Sequence, residues 1–457
     1  MARRAKRLGR VFGLRRRRSG TVAPAPFRPA LVAQVDITAP VGIAGGMRID
    51  GTAYDRALLL VRYDGRPCGT VEIALPPDGL SAQEVELRLR MAIKQGQLVV
   101  APFDDLPVSI SKAWTASKTP RVTVVVATRD RPAELRRCVD SILACDYPDF
   151  DVLIVDTAPT WRATPPEVIE AYGASRRVEW AQEQTPGVAC AYNNALDEVT
   201  APIVAFTADD AVVDKDWLSN LVAGFGVAPD IGCVTGMIFP LELETAVQEL
   251  VERAIGFDER LGRRMFRDDR RSDQGDRLFP YAAGRFGSGL NMAFRTDALL
   301  SVGGFDAALG AGSKTRGGDD LAAFFDIVSG GYALVYEPAA IVLHARHRDE
   351  AALARQAFGY GAGLTAYLTK TVADRPTRVF DIASRVPAAL QRALARNSEK
   401  HAGRPADYPR ALVRRERAGM LAGPALYAAS RFATRRVRRS LQAAPSARER
   451  VESAMGE

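Results

Sequence analysis

Two pairs of adjacent aspartates stand out in this 457-residue sequence, Asp209-Asp210 and Asp319-Asp320. Neighbouring carboxylates repel, which costs stability unless a cation or a partner offsets it. Asp209-Asp210 ends the apolar run 203–207. Mg2+ and Mn2+ bind through one or two carboxylates plus phosphate oxygens, so the pair suits a metal site. It equally suits a loop capping a helix at Asp216-Trp217. Asp319-Asp320 follows Arg316-Gly317-Gly318 and opens a segment with apolar Leu321, Ala322, Phe324, Phe325 and Val328. Acids at a helix start favour its dipole. One of them also suits a general base, with glycines that let a substrate approach closely.

Two of the three histidines, His344 and His347, follow the apolar run 339–343. They suit metal ligands or plain surface positions. An aspartate pair with one histidine is a hard-to-borderline donor set, closer to Mn2+ or Mg2+ than to zinc. Thr128-Arg129-Asp130-Arg131 and Asp156-Thr157 each follow another apolar run. Any one such cluster fits a turn or helix cap. Three at one sheet edge fit a ligand site. No HExxH or Walker A pattern occurs, and Gly287-Ser288-Gly289 lacks the setting of a nucleophile elbow and reads as a flexible turn.

The elements that must position these residues alternate. Residues 122–127 form a continuous apolar run, as a buried parallel strand does. Leu135, Cys138, Val139, Ile142 and Leu143 then mark one helix face, and 152–155 is a second buried strand ending at Asp156. The alternation predicts a helix near 187–198, a strand at 203–207, a helix near 216–225 and a strand at 231–238. Ahead of this domain, 57–63 and 69–75 read as strands around an Asp64-Gly65 turn, with a helix over 82–95 after Ser81. Residues 31–115 are expected as a small separate α+β module. Beyond 350 the pattern predicts helices broken by Pro376, Pro387, Pro405, Pro409 and Pro424.

Apolar residues are 47% and charged residues 25% of the chain, which fits a globular protein and excludes a mostly disordered, collagen-like or coiled-coil chain. No apolar run reaches the roughly 18 residues of a membrane-spanning helix. The net charge is +8, but it is unevenly placed. Nine cations and no acid lie in residues 1–18, and ten arginines face two acids in 401–440. The body, 19–400, carries a net −8. This predicts no nucleic-acid groove, and tails that meet an anionic surface. Residues 1–30 read as a disordered basic tail without the apolar stretch of a standard secretory signal. Five cysteines without a CxxC pair fit a reducing compartment.

Taken in order, residues 121–348 resemble family 2 glycosyltransferases, inverting enzymes of the GT-A fold. Val122 through Pro132 resembles the opening strand and loop of that family, and Val155-Asp156 its base-contacting acid. Thr207-Ala208-Asp209-Asp210-Ala211 resembles its DxD-type motif, with Ala208 where the commonest triplet has an acid. Gly303-Gly304-Phe305-Asp306 and Gly318-Asp319-Asp320 resemble its GGFDE and ED segments. Tyr336-Glu337-Pro338 and His344 resemble its closing strand and terminal metal ligand. Tyr192 stands where many members carry arginine.

The resemblance implies an α/β fold: a GT-A type, Rossmann-like mixed sheet flanked by helices over 118–348. A small N-terminal module would precede it and a helical basic extension, 349–457, would follow. It implies a hexosyl- or deoxyhexosyl-transferase using a nucleoside-diphosphate sugar and Mn2+ or Mg2+. Asp320 is the implied base, with Asp319 beside it. Thr128, Arg129, Arg131, Asp156, Asn193 and Asp209 are the implied donor-binding residues, and Asp210 and His344 the metal ligands. Residues 258–282, charged and without periodicity, are expected as a mobile lid over the acceptor. The acceptor would be a glycan or lipid-linked sugar in cell-envelope assembly. The expected location is cytoplasmic, peripheral at the inner face of the membrane and against anionic lipid. The other reading is a non-catalytic scaffold of the same fold.

Overall fold

The computed structural model describes residues 27–48, 50–98, 119–157, 166–173, 175, 177–255, 261–268, 276–394 and 408–443. Strand β1 (Leu31–Asp36) pairs in parallel with β2 (Arg56–Tyr63), which turns into antiparallel β3 (Arg66–Ala74). The turn residues Asp64 and Gly65 have φ of 48° and 78°, the left-handed geometry that Asp-Gly hairpins adopt. Helix α1 (Ala82–Lys94) starts at Ser81, whose hydroxyl accepts the Glu84 N–H while the Glu84 carboxylate accepts the Ser81 N–H.

Strand β2 is apolar along its length because both its faces are covered. Ala57, Leu59 and Val61 pack with Val85 and Leu89 of α1, whereas Leu58 and Leu60 pack with Met237, Phe239 and Ile341 of the main domain. Arg62 crosses the same boundary and donates to both carboxylate oxygens of Asp214 in a buried pair. The expected separate module is therefore docked through a shared core. Ala30 also bridges to Leu243, so 27–30 are ordered, while 1–26 and 99–118 lie outside the described residues.

The main domain runs β4 (Val122–Thr128), α2 (Pro132–Leu143), β5 (Phe150–Thr157), α3 (Pro166–Gly173), β6 (Val178–Glu183), α4 (Val188–Glu198), β7 (Ile203–Ala208), β8 (Ala211–Val213) and α5 (Trp217–Phe225). It continues through β9 (Ile231–Pro240), α6 (Ala246–Ile255), β10 (Arg264–Phe266), β11 (Met292–Arg295), α7 (Thr296–Ser301), α8 (Asp319–Ser329) and β12 (Ala333–His344). The nine-stranded sheet has the order β10-β12-β9-β11-β7-β4-β5-β6, with β8 pairing β12. Successive residues of β4 serve opposite cores. Val122, Val124 and Val126 meet Leu135, Cys138, Val139 and Ile142 of α2, whereas Val125 joins the cluster of α4 and α8. That double coverage explains the unbroken apolar run.

Two features of this sheet position the site. The chain lays β5 and β6 on one side of β4 and returns with β7 on the other. Such a reversal opens a crevice beyond the carboxyl ends of β4 and β7. Strand β12 runs parallel to β9, and its last residue, His344, pairs with Ala211 of β8. The closing strand thus ends beside the loop that follows β7. The segment expected as a lid is partly built into the fold. Residues of β10 pair with β12, and Phe279 and Tyr281 are buried in the core. Residues 256–260 and 269–275 lie outside the described ones.

Beyond the sheet come α9 (Glu350–Asp374), α10 (Arg378–Leu394) and α11 (Arg410–Ala443). Helix α11 lies along α9 in the same direction, with Leu412 beside Leu353 and Ala357, and Gly423 against Ala362 and Thr365. Glycines allow the close approach: a Cβ at Gly361 would overlap the Glu416 carbonyl, and one at Gly419 the Phe358 carbonyl. Pro387 and Pro424 lie inside α10 and α11 and do not break them, contrary to expectation. Pro424 is exposed, and buried Gly423 and Tyr427 hold α11 in place on either side of it. The opposite side of α9 supports the turn before α8. Gly318 has φ of 93°, and a Cβ there would stand 2.5 Å from the Gly363 carbonyl oxygen.

Candidate active site

The end of β4 and the end of β7 meet at the crevice. Thr128 Oγ1 donates to Asp209 Oδ2 at 2.9 Å, so the end of β4 orients the buried acid that follows β7. Arg131, at the start of α2, reaches both neighbours, with Nη1 3.3 Å from Asp209 Oδ1 and 3.1 Å from Asp210 Oδ2. Arg129 is exposed and pairs with Asp130 at 3.7 Å. It is Arg131 that the fold brings onto the acids. Asp156 is fully buried at the end of β5, the next strand along the same edge.

His344 approaches Asp210 from the other side, with Nε2 3.3 Å from Oδ1. His347 is exposed. Burial works against the Asp210 charge, but His344 and Arg131 outweigh it and hold this carboxyl below the ordinary range. Asp209 goes the other way: burial pushes it up against the pull of Arg131, and the Asp210 charge adds to the rise.

Asp210 and His344 are the side chains of this corner that could hold a divalent cation. Asp210 Oδ1 and His344 Nδ1 are buried and have no hydrogen-bond partner. Oδ1 and Nε2 face each other at ion-pair distance, and one oxygen and one imidazole nitrogen suit Mn2+ or Mg2+. Among the described residues no group of three or more His, Cys, Asp or Glu side chains stands ready to hold a metal alone. Completion of the shell by diphosphate oxygens and water is the usual arrangement for such ions.

The second acidic pair is supported differently. Asp319 and Asp320 open α8 after the left-handed Gly318. Asp320 Oδ2 accepts the Gly289 N–H at 2.9 Å, and its Oδ1 accepts the Leu321 N–H at 2.8 Å. Burial raises both carboxyls above the ordinary range, and for Asp319 the neighbouring Asp320 charge adds to it. The turn 287–289, which the sequence leaves without a role, is thus the brace of Asp320. Between the two pairs lies Tyr192. Burial keeps its phenol neutral, and the charges of Asp319, Asp320 and Asp209 all act on it in the same sense. It packs on Phe206 and Phe305.

Asn193 is the expected donor contact that the structure commits elsewhere. Its Nδ2 donates to the Phe305 carbonyl at 2.7 Å and its Oδ1 accepts the Phe305 N–H at 2.9 Å, so it pins the 303–306 turn. Sequence reading missed Asn291, which is fully buried. It donates to the Met237 and Ala340 carbonyls and accepts from Trp217, plugging the irregular stretch of β12 between Glu337 and Ile341. It also missed the buried Arg346–Glu252 pair, at 2.7 Å, two residues past His344.

A family model described as glycosyltransferase-like family 2 matches residues 120–359, more than half of the chain. The chain belongs to this family. Its curved mixed sheet, flanked by helices, is GT-A-like, with a small N-terminal sheet module and a helical C-terminal region. A pre-mycofactocin glycosyltransferase of Mycobacterium tuberculosis is 27% identical over 246 residues, 52% of this chain and 46% of that one. The O-antigen biosynthesis protein RfbC of Myxococcus xanthus is 31% identical over 140 residues, 29% of this chain and 11% of that one. A glucosyl-dolichyl phosphate glucuronosyltransferase of Haloferax volcanii is 25% identical over 197 residues, 42% and 57% of the two chains. The chain therefore aligns with less than two thirds of the length of each of these relatives. A solved mannosyltransferase of Pyrobaculum calidifontis, in complex with GDP-Man and Mn2+, superposes over 81% of this chain and 86% of its own. Its TM-score is 0.42 and its identity 20%, too loose to assign residues.

Proposed function

We propose that this family member is an inverting glycosyltransferase that moves a sugar from a nucleoside diphosphate to a hydroxyl of a glycan or lipid-linked acceptor, in cell-envelope polysaccharide assembly. The observation that carries the reading is the convergence to 3.3 Å of Asp210, from the middle of the family domain, and His344, from near its end. Names of relatives in O-antigen and dolichyl-phosphate chemistry support the acceptor class.

Breaking the anomeric bond builds negative charge on the departing diphosphate. Asp210 and His344 would hold Mn2+ or Mg2+, which supplies Lewis-acid neutralisation of that charge. Asp209, oriented by Thr128, would accept a hydrogen bond from the ribose, and buried Asp156 one from the base. Arg131 pairs with both carboxylates of the first pair and would bring a cation to the diphosphate. Asp320 would accept the proton of the attacking acceptor hydroxyl. Its two backbone donors fix the plane of the carboxylate, and its raised pKa makes it a stronger base than an exposed aspartate. Attack from the face opposite the diphosphate inverts the anomeric centre.

A screen of UDP-, GDP- and dTDP-sugars with Mn2+ or Mg2+, reading release of the nucleoside diphosphate, tests the reading. Release from one donor class, lost with Asp320→Asn, supports it. Donor binding without release in any of them, with or without a glycan acceptor, would favour a scaffold.

A further inference from the structure

Helix α11 turns one side to α9 and leaves the other to solvent. Gly419, Gly423, Tyr427 and Ser430 are buried on the inner side. On the outer side Leu421 is 86% exposed and Phe432 is 71% exposed. At 100° per residue these two stand within about 20° of one another, and Arg414 falls within about 20° of Leu421. Arg417 and Arg435, also exposed, flank the same line. The outer line thus reads cation, apolar centre, cation. Residues 418–430 hold no charge, whereas α11 as a whole has nine arginines and the one acid Glu416.

From this we infer that the outer face of α11 is the membrane-docking surface of the protein, and that its partner is an anionic lipid bilayer. Charge complementarity chooses the partner, since arginines at both ends suit an anionic leaflet and each adds to binding near one. The apolar centre between them is what an interfacial helix sinks among acyl chains. No helix among the described residues is long and apolar enough to cross a membrane. A 34-residue helix would therefore lie flat, touching lipid along about 50 Å. The inference stands on this surface and does not need the transfer reaction.

The test is co-sedimentation of the full chain with vesicles of phosphatidylcholine alone, or of phosphatidylcholine doped with phosphatidylglycerol. Binding to the doped vesicles only, weakening as salt rises, is expected. Leu421→Ser with Phe432→Ser should weaken that binding about 10–100-fold, as loss of two buried apolar groups implies. Leu421→Trp should retain it. Both side chains are exposed, so thermal melting of the soluble variants should match the parent and exclude misfolding as the cause. Unchanged binding of the double serine variant would assign docking to the basic run 1–18 and overturn the inference. So would equal binding to neutral vesicles, no binding to either, or a dimer in lipid-free solution that the double variant dissociates.

Discussion

Asp209-Asp210 and Asp319-Asp320 are the same dipeptide, and the fold treats them in opposite ways. The first pair has a side-chain donor on each side, the Arg131 guanidinium and the His344 imidazole, and one of its carboxyls is held below the ordinary range. The second meets backbone N–H groups of Gly289 and Leu321 at Asp320, and burial pushes both carboxyls up. Adjacent carboxylates in water repel alike wherever they stand. What separates these two is which partners the tertiary fold supplies. A carboxyl held ionised by its partners, as Asp210 is, is ready to bind a metal cation, and carboxyls raised by burial are ready to take a proton.

The largest effect should come from the second pair. Asp320→Asn keeps shape and removes proton acceptance, so kcat should fall about 10²–10⁴-fold while donor affinity survives. Steady-state kinetics beside donor titration would check this, and near-parental turnover would reduce Asp320 to a helix-start acid. In the first pair, Asp210→Ala or His344→Ala should weaken Mn2+ affinity at least about 10-fold, measured by calorimetry with the nucleoside diphosphate present. His347→Ala should leave it unchanged, because that side chain is exposed. Loss with His347 instead of His344 would dismantle the first corner.

Arg131→Gln is a subtler way to break the contrast. Arg131 is half exposed, so solvent screens it, and the stability loss should be about 1 kcal/mol. Added Mn2+ should recover part of the lost melting temperature, since one cation then stands in for another. The smallest expected effect concerns pH. A base must be ionised, and burial raises Asp320, so turnover should be lost on acidification through a midpoint above the ordinary aspartate value of about 3.9. Asp210 is shifted down and stays ionised there. The Asp210 carboxyl, followed by NMR, should therefore titrate below the midpoint of turnover, and coincident midpoints would erase the distinction between the pairs.

Much of this was legible where one residue type has one strong local reason. Asp64-Gly65 announces its hairpin by the left-handed geometry it tolerates, and Ser81 with Glu84 announces a helix start. The apolar run of β4 announces a strand covered on both faces. The acids at the strand ends were visible because three polar clusters follow three apolar runs at one sheet edge, where any one alone would pass for a turn or cap. What stayed hidden depends on partners distant in sequence. Asn193 looked like a donor contact until Phe305 claimed both ends of its amide. Arg346 carries no local signal in the sequence, yet the fold buries it against Glu252. Strand β6 is polar because it lies at the sheet edge, and β10 hid in a charged segment for the same reason. Pro424 implied a break that contacts with α9 override.

The glycine that opens α8 is held against the backbone of α9, and α9 is held in turn by the glycines of α11. Similarity to the family ends at residue 359, short of Gly363. A fragment trimmed at that border, or at residue 348, would keep every acid and histidine of the candidate site and lose the surface that shapes the turn before Asp319. The unit that inheritance marks out is therefore smaller than the unit that mechanics requires, and the shortest autonomous enzyme should extend through α11.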